Sequence, residues 1–184
     1  PIMTLKKEQR SSIEPVNDAF VEYDLNAAEV RTLMALSGRE QPQEDIHAWV
    51  TKNVFNSKIE RSKAKVELFA WLYNPSSSES RFDEFFSRQI FRDFFAPEDQ
   101  VLRTPFGRKL IVDERKAQNY LLQSTTSDIV LQNAYKIMKM LKGRKSKIAF
   151  TLHDSIIVDA SKQDADILRD IKTQFEETPW GPFM

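Results

Sequence analysis

Apolar and polar residues alternate over 19–25, AFVEYDL, and the spacing predicts a strand that ends at Asp24. The period then changes. AAEVRTLMALS, residues 27–37, carries apolar residues three and four apart, predicting a helix that Gly38 stops. A short helix is expected over 44–55, after Gln-Pro-Gln. Residues 58–73, KIERSKAKVELFAWLY, contain neither Gly nor Pro and predict a firm helix, ended by NPSSS at 74–78. The Phe-rich, charged stretch 79–95 predicts one amphipathic helix, GRKLIVD at 107–113 a strand, and 114–141 a long helix that runs out into a basic loop. A tight hairpin is expected over 147–160 and a last helix over 162–176. Strands and helices follow one another without regular alternation, which predicts an α+β fold with an antiparallel sheet.

Composition narrows this picture. The 184 residues are 41% hydrophobic and 29% charged, enough for one sizeable domain with its own core. The formal net charge is zero, so bulk charge does not announce a nucleic-acid binder. Locally, Lys136, Lys139, Lys142, Arg144, Lys145 and Lys147 form a basic run without an acid, whose plainer reading is a solvated helix end and loop. The absence of cysteine excludes disulfides and thiolate metal sites and fits a reducing cytosol. No apolar stretch approaches bilayer length and no secretory signal is read, so no membrane partner and a cytoplasmic setting are expected, the host cytoplasm if the source is viral. Four glycines supply no Gly-rich phosphate loop.

Three clusters carry chemistry. Arg61, Lys65, Phe69 and Tyr73 recur every four residues and share one face of the 58–73 helix over about 18 Å. As a core stripe they would bury two cations; as a ligand rail they offer cations for a polyphosphate and flat rings for a base or sugar. In YDLNAAEVR, Asp24 stands where a strand feeds a helix and Glu29 lies on the first helical turn. The plainer reading is that Asp24 or Asn26 caps that helix. TLHDSIIVDA, 151–160, puts His153 and Asp154 at a hairpin tip, where Asp and Ser also serve simply as turn residues. If Asp24 and Asp154 end adjacent strands, their carboxylates meet at one sheet edge and repel unless a divalent cation lies between them. Hard oxygen ligands without Cys favour Mg²⁺.

These clusters, in this order and with these spacings, resemble the family A DNA polymerases, the group of the bacterial repair polymerase and several phage replicases. YDLNAAEVR is similar to that family's first palm motif, RSKAKVELFAWLY to its fingers helix, and LHDSIIVD to its third motif. Two shorter matches lie between: DIH at 45–47, and Arg115, Asn119 and Gln123 in RKAQNYLLQSTTSDI. The likeness covers about residues 10–175. It implies a palm from 1–40 and 101–184, fingers from 41–100, and a chain without thumb or exonuclease, whether from a split gene, an intein-interrupted gene or a truncation.

The resemblance also implies roles. Asp24 and Asp154 would bind two Mg²⁺ ions, with the Leu25 carbonyl as a further ligand. His47, Arg61 and Lys65 would hold the triphosphate of a deoxynucleotide, and Lys65 stands where the family places a proton donor to pyrophosphate. Phe69 would pack on the sugar, and Glu29 with Tyr73 would close the sugar pocket against ribose. Arg115, Asn119, Gln123 and His153 would face primer and template. The chain departs from the pattern at Ser155, where the family has Glu, so that carboxylate's supporting role is expected to be lost. Ala27, Leu68, Ala70 and Asn74 also differ.

The expected function is template-directed addition of deoxynucleotides to a primer 3′-hydroxyl, alone or with a complementing chain that carries thumb and exonuclease. A non-catalytic fragment that binds DNA or a partner is the alternative. A two-metal nuclease is a third, though it leaves the Arg-Lys-Phe-Tyr rail without a purpose.

Overall fold

The structure, a computed structural model, describes residues 2–10, 12–74, 80–86 and 88–184. After a 3₁₀ turn at Ile2–Thr4, the elements begin with α1 (Lys7–Arg10), β1 (Ala19–Asp24), α2 (Ala28–Leu36), α3 (Ile46–Asn53) and α4 (Arg61–Tyr73). Next come α5 (Ser80–Phe85), α6 (Gln89–Asp93), β2 (Phe95–Ala96), β3 (Val101–Arg103) and β4 (Lys109–Ile111). The chain closes with α7 (Glu114–Met140), β5 (Lys147–Leu152), β6 (Ser155–Ala160), a 3₁₀ turn at Lys162–Asp164 and α8 (Ala165–Glu176). The fold is α+β with two small antiparallel sheets. Two compact units divide the chain: residues 1–26 with 127–184, and residues 27–126.

In the first unit the sheet order is β1-β6-β5, antiparallel throughout. Strand β6, SIIVDA, is buried along its whole length, as a β-branched central strand should be. β1 alternates about the pleat. Tyr23 is buried on one face, where its hydroxyl donates to the Leu168 carbonyl of α8 at 2.9 Å, while Phe20, Glu22 and Asp24 share the other face. α8 buries Ile171 and Phe175. Asp159, buried in β6, accepts the Val16 and Asn17 amides at 3.2 and 2.9 Å and so fixes the approach to β1. The β5–β6 connection is a two-residue turn, His153-Asp154, closed by the Leu152↔Ser155 pair.

The second unit holds an apolar core in which Val30, Leu33, Ile46, Val50, Leu68, Trp71, Phe82 and Leu121 are buried together. Trp71 is completely buried. Its indole N–H donates to Asp83 at 3.0 Å, and the Arg88 guanidinium lies 4.5 Å from its ring centroid. The single helix expected over 79–95 is instead two short ones, α5 and α6, followed by β2. Four phenylalanines explain the break: Phe82, Phe86, Phe91 and Phe95 are all buried, and the five-residue step from 86 to 91 does not keep one helical face inward. β2, β3 and β4 form a second sheet in that order. β2 and β3 are two and three residues long, too short for a period to show. Of the expected helix stop at NPSSS, Asn74 is extended and residues 75–78 lie outside the described residues. Among the described residues no helix is long and apolar enough to cross a membrane.

Candidate functional site

At one end of the first sheet two acids face each other. Asp24 is the last residue of β1 and is the register partner of Ser155, the residue after Asp154. The Leu25 amide donates to the Asp154 carbonyl at 3.2 Å, tying the end of β1 to the hairpin tip, and the Leu25 side chain is completely buried. The Asp24 carboxyl is pushed up to about 6 by partial burial, by the Asp154 and Glu22 charges, and by a hydrogen bond shared with Asp154. Crowding of this kind is relieved by a proton or a cation. Glu22 stands on the same face as Asp24, and its Oε1 accepts from Ser155 Oγ at 2.9 Å. His153, exposed at the tip, takes a positive φ of 53° at the first of the two central turn positions, where a two-residue hairpin of the II′ type requires it. Among the described residues no three His, Asp or Glu side chains gather as a metal site by themselves.

Asp24 does not cap α2. The N-cap is Ala27, left-handed at φ 48° and ψ 45°, with no side-chain cap, which leaves the Asp24 carboxylate free of that structural duty. Glu29 sits on the first turn of α2, half-buried.

In the second unit α4 packs through Ala64, Leu68, Trp71 and Leu72; of the stripe, Arg61, Lys65 and Tyr73 are exposed, while Phe69 is half-buried and packs against the core. Its members are linked along the helix. Lys65 Nζ is 5.9 Å from the Phe69 ring centroid, and Phe69 stacks on Tyr73 with centroids 5.7 Å apart and planes 8° from parallel. His47, from the first turn of α3, is buried with its ring 6.0 Å from that of Phe69. Its Nδ1 is enclosed and lacks a hydrogen-bond partner. Burial, then the Lys65 charge, lower its pKa; Asp45 pulls it back up, and Arg61 adds a smaller lowering. A neutral imidazole with one unsatisfied nitrogen beside two cations is a receptive place for an anionic ligand. Arg61 is taken up by Asp45, whose two oxygens accept from its Nε and Nη2 at 2.8 Å each.

Farther along, Arg115 and Gln123 are exposed and Asn119 half-exposed on one row of α7, opposite the buried Ala117, Leu121 and Leu122. Buried Gln118 donates to the Leu72 carbonyl. Arg115 also borders an open cavity of about 300 Å³ shared with Arg88, Arg92, Phe91 and Phe95.

Three features of the site go beyond the residues expected from sequence. Glu22 was visible in principle, because i and i−2 share a strand face. Asp45, the first residue of DIH, stands just before a helix, which is a capping signal, and it accepts from the Ala48 amide at 2.8 Å. Arg88 and Arg92 join Arg115 through folding that no local period announces.

No family model matches the sequence, and no curated protein matches it. Among solved structures, the chain is similar to the POL domain of Pol1 from M. smegmatis, determined in complex with DNA primer-template and dNTP, with a TM-score of 0.72 and 18% identity. The match covers 91% of this chain and spans 38% of that one. At this identity the likeness is one of fold.

Proposed function

We propose that this chain is the palm-and-fingers portion of a DNA-directed DNA polymerase that adds deoxynucleotides to a primer 3′-hydroxyl. Residues 1–40 and 101–184 are read as palm and 41–100 as fingers, so the first compact unit lies within the palm and the second contains the fingers. The observation that carries the reading is the meeting of Asp24 and Asp154 at one sheet end, with a shared hydrogen bond and a raised Asp24 pKa. The fold likeness to a polymerase domain and the cation–ring row of α4 support it.

The donor set suits magnesium: two carboxylates and the Leu25 carbonyl are hard oxygens. When bound, a pair of Mg²⁺ ions supplies activation of the primer hydroxyl and neutralisation of charge on the transferring phosphate. The chain's own groups do the rest. Arg61, Lys65 and His47 hold the triphosphate, where positioning and electrostatics supply most of the rate. Phe69 and Tyr73 present a stacked pair to the sugar and base, and Glu29 crowds a ribose 2′-hydroxyl. His153, Arg115, Asn119 and Gln123 meet primer and template, and the cavity beside Arg115 offers arginines and rings suited to a strand's phosphates and bases.

Primer extension with Mg²⁺ and dNTPs, with and without a complementing chain that carries a thumb, tests this. Incorporation that disappears in Asp24→Ala and Asp154→Ala is expected. Binding of DNA without incorporation under any pairing would favour a non-catalytic fragment instead.

A further inference from the structure

The acid pair is not alone at its sheet end. Glu22 precedes Asp24 by two residues on the same face of β1, and Ser155 faces Asp24 across the strands. Residues diagonal in an antiparallel pair come within reach of long side chains, and here they connect. The Ser155 hydroxyl lies 2.9 Å from Glu22 Oε1 and 2.9 Å from the Leu152 carbonyl. One proton shared between those acceptors binds the Glu22 carboxylate to the hairpin that carries Asp154. Ser155 is buried, so its hydroxyl is fixed in place, and the contact itself is part-buried with Glu22 on the exposed side.

No cation of the chain answers Glu22 among the described residues. Glu22, Asp24, Lys172 and Glu176 border a cavity of about 290 Å³, and the lysine there is paired with Glu176 at 3.7 Å. An exposed glutamate on an edge strand ordinarily lowers its free energy by finding a cation or by turning to water. This one is instead held on the Ser155 hydroxyl, on the same strand face as the Asp24 carboxylate that repels it.

We propose that Glu22 is a positioning residue of the acid pair: held by Ser155, its carboxylate supplies the third negative charge that secures a divalent cation on Asp24 and Asp154. The inference rests on the polymerase reading of that pair and adds no separate site to it. On this proposal, the carboxylate that Ser155 removes from its own strand is replaced by one on the neighbouring strand, held through the Ser155 hydroxyl.

The test uses Mn²⁺ as the probe, with free Mn²⁺ counted by electron paramagnetic resonance in the presence of the whole chain. Outer partners of metal ligands are commonly worth about tenfold or more in affinity. Glu22→Gln keeps the shape and hydrogen-bonding reach, and is expected to weaken Mn²⁺ binding about tenfold. Without metal its Tm should hold or rise, because a like charge leaves a crowded site; a purely structural glutamate would lower it. Ser155→Ala, which keeps every charge but frees the carboxylate, should weaken binding about threefold, less than loss of the charge itself. Affinity of Glu22→Gln within twofold of the parent, or a fall in its metal-free Tm, overturns the proposal, and a Ser155→Ala chain that binds like the parent removes the tether from it. Asp24→Asn separates the two levels: if it leaves Mn²⁺ binding intact, the reading of the acid pair fails. If it abolishes binding while Glu22→Gln changes nothing, only the role of Glu22 fails.

Discussion

Arg61 and Asp45 are locked in a two-point contact, Nε and Nη2 each 2.8 Å from a carboxylate oxygen. The same carboxylate caps α3, so one side chain both starts that helix and holds the arginine that starts α4. The pairing holds the Asp45 carboxyl well below the usual carboxylate range, chiefly through the Arg61 hydrogen bonds.

Strength decides what this contact means for a nucleotide. The Arg61 side chain is 53% exposed and that of Asp45 36%, and pairs this open contribute less than about 1 kcal/mol. A triphosphate that recruits Arg61 has little to overcome. Asp45→Asn keeps an oxygen for the cap and removes the competing charge. The KM for dNTP in steady-state extension should then fall by up to about fivefold with kcat unchanged. A rise in KM would mean that Asp45 aims Arg61 rather than competing for it.

Asp24 should make the protein less stable as the solution becomes less acidic. Its folded pKa of about 6 lies above the unfolded value of 3.8, so the folded chain binds the extra proton between those values. Stability therefore falls as pH rises from about 4 to about 6, and the penalty stays in place at pH 7. Asp24→Asn should raise Tm at pH 7 by an amount worth about 1 kcal/mol or less, since the site is open to screening solvent, and lose that advantage below pH 4. Scanning calorimetry of both chains at pH 3.5 and pH 7 checks the sign. Equal shifts at both pH values would remove the charge from the explanation.

His47 behaves in the opposite sense. A base held below its ordinary pKa of 6.5 carries fewer protons folded than unfolded, so stability is lost as pH drops through that value. With two histidines in the chain, the imidazole resonances are easily separated by His47→Leu. The His47 signal should titrate below 6.5 in the free chain and move upward when dNTP is added, as the triphosphate charge favours imidazolium. An unmoved midpoint would remove His47 from the phosphate site.

The hairpin tip allows fold and function to be separated. A non-glycine residue at positive φ costs about 1 kcal/mol, and His153 bears that cost in an exposed turn. Glycine relieves it but gains about the same freedom in the unfolded chain. His153→Gly should leave the unfolding free energy within about 0.5 kcal/mol of the parent, as the two effects oppose. On the proposed function, primer extension should nonetheless drop, because the imidazole assigned to the primer terminus is gone. Chemical denaturation read beside extension rates distinguishes a turn residue from a contact residue.

Much of this was legible before folding was known, and the legible parts share a cause. The end of β1 at Asp24, the span of α4 and the 147–160 hairpin each depend on residues within a few positions of one another, so period and turn chemistry mark them. The Phe-rich, charged composition of 79–95 reads as one amphipathic helix, and only the core's shape sends Phe86, just past α5, and Phe91, on α6, inward from separate segments. β2 and β3 carried no pattern because strands of two and three residues have none to carry.

Periodicity and capping are short-range effects, so the local element of each candidate residue could be read from its neighbours in sequence. Folding alone set Asp24 against Asp154, Glu22 on the Ser155 hydroxyl and Arg61 on Asp45. Those pairings join residues distant along the chain. They follow from strand register and from the burial that selects it, and no nearest-neighbour pattern encodes either.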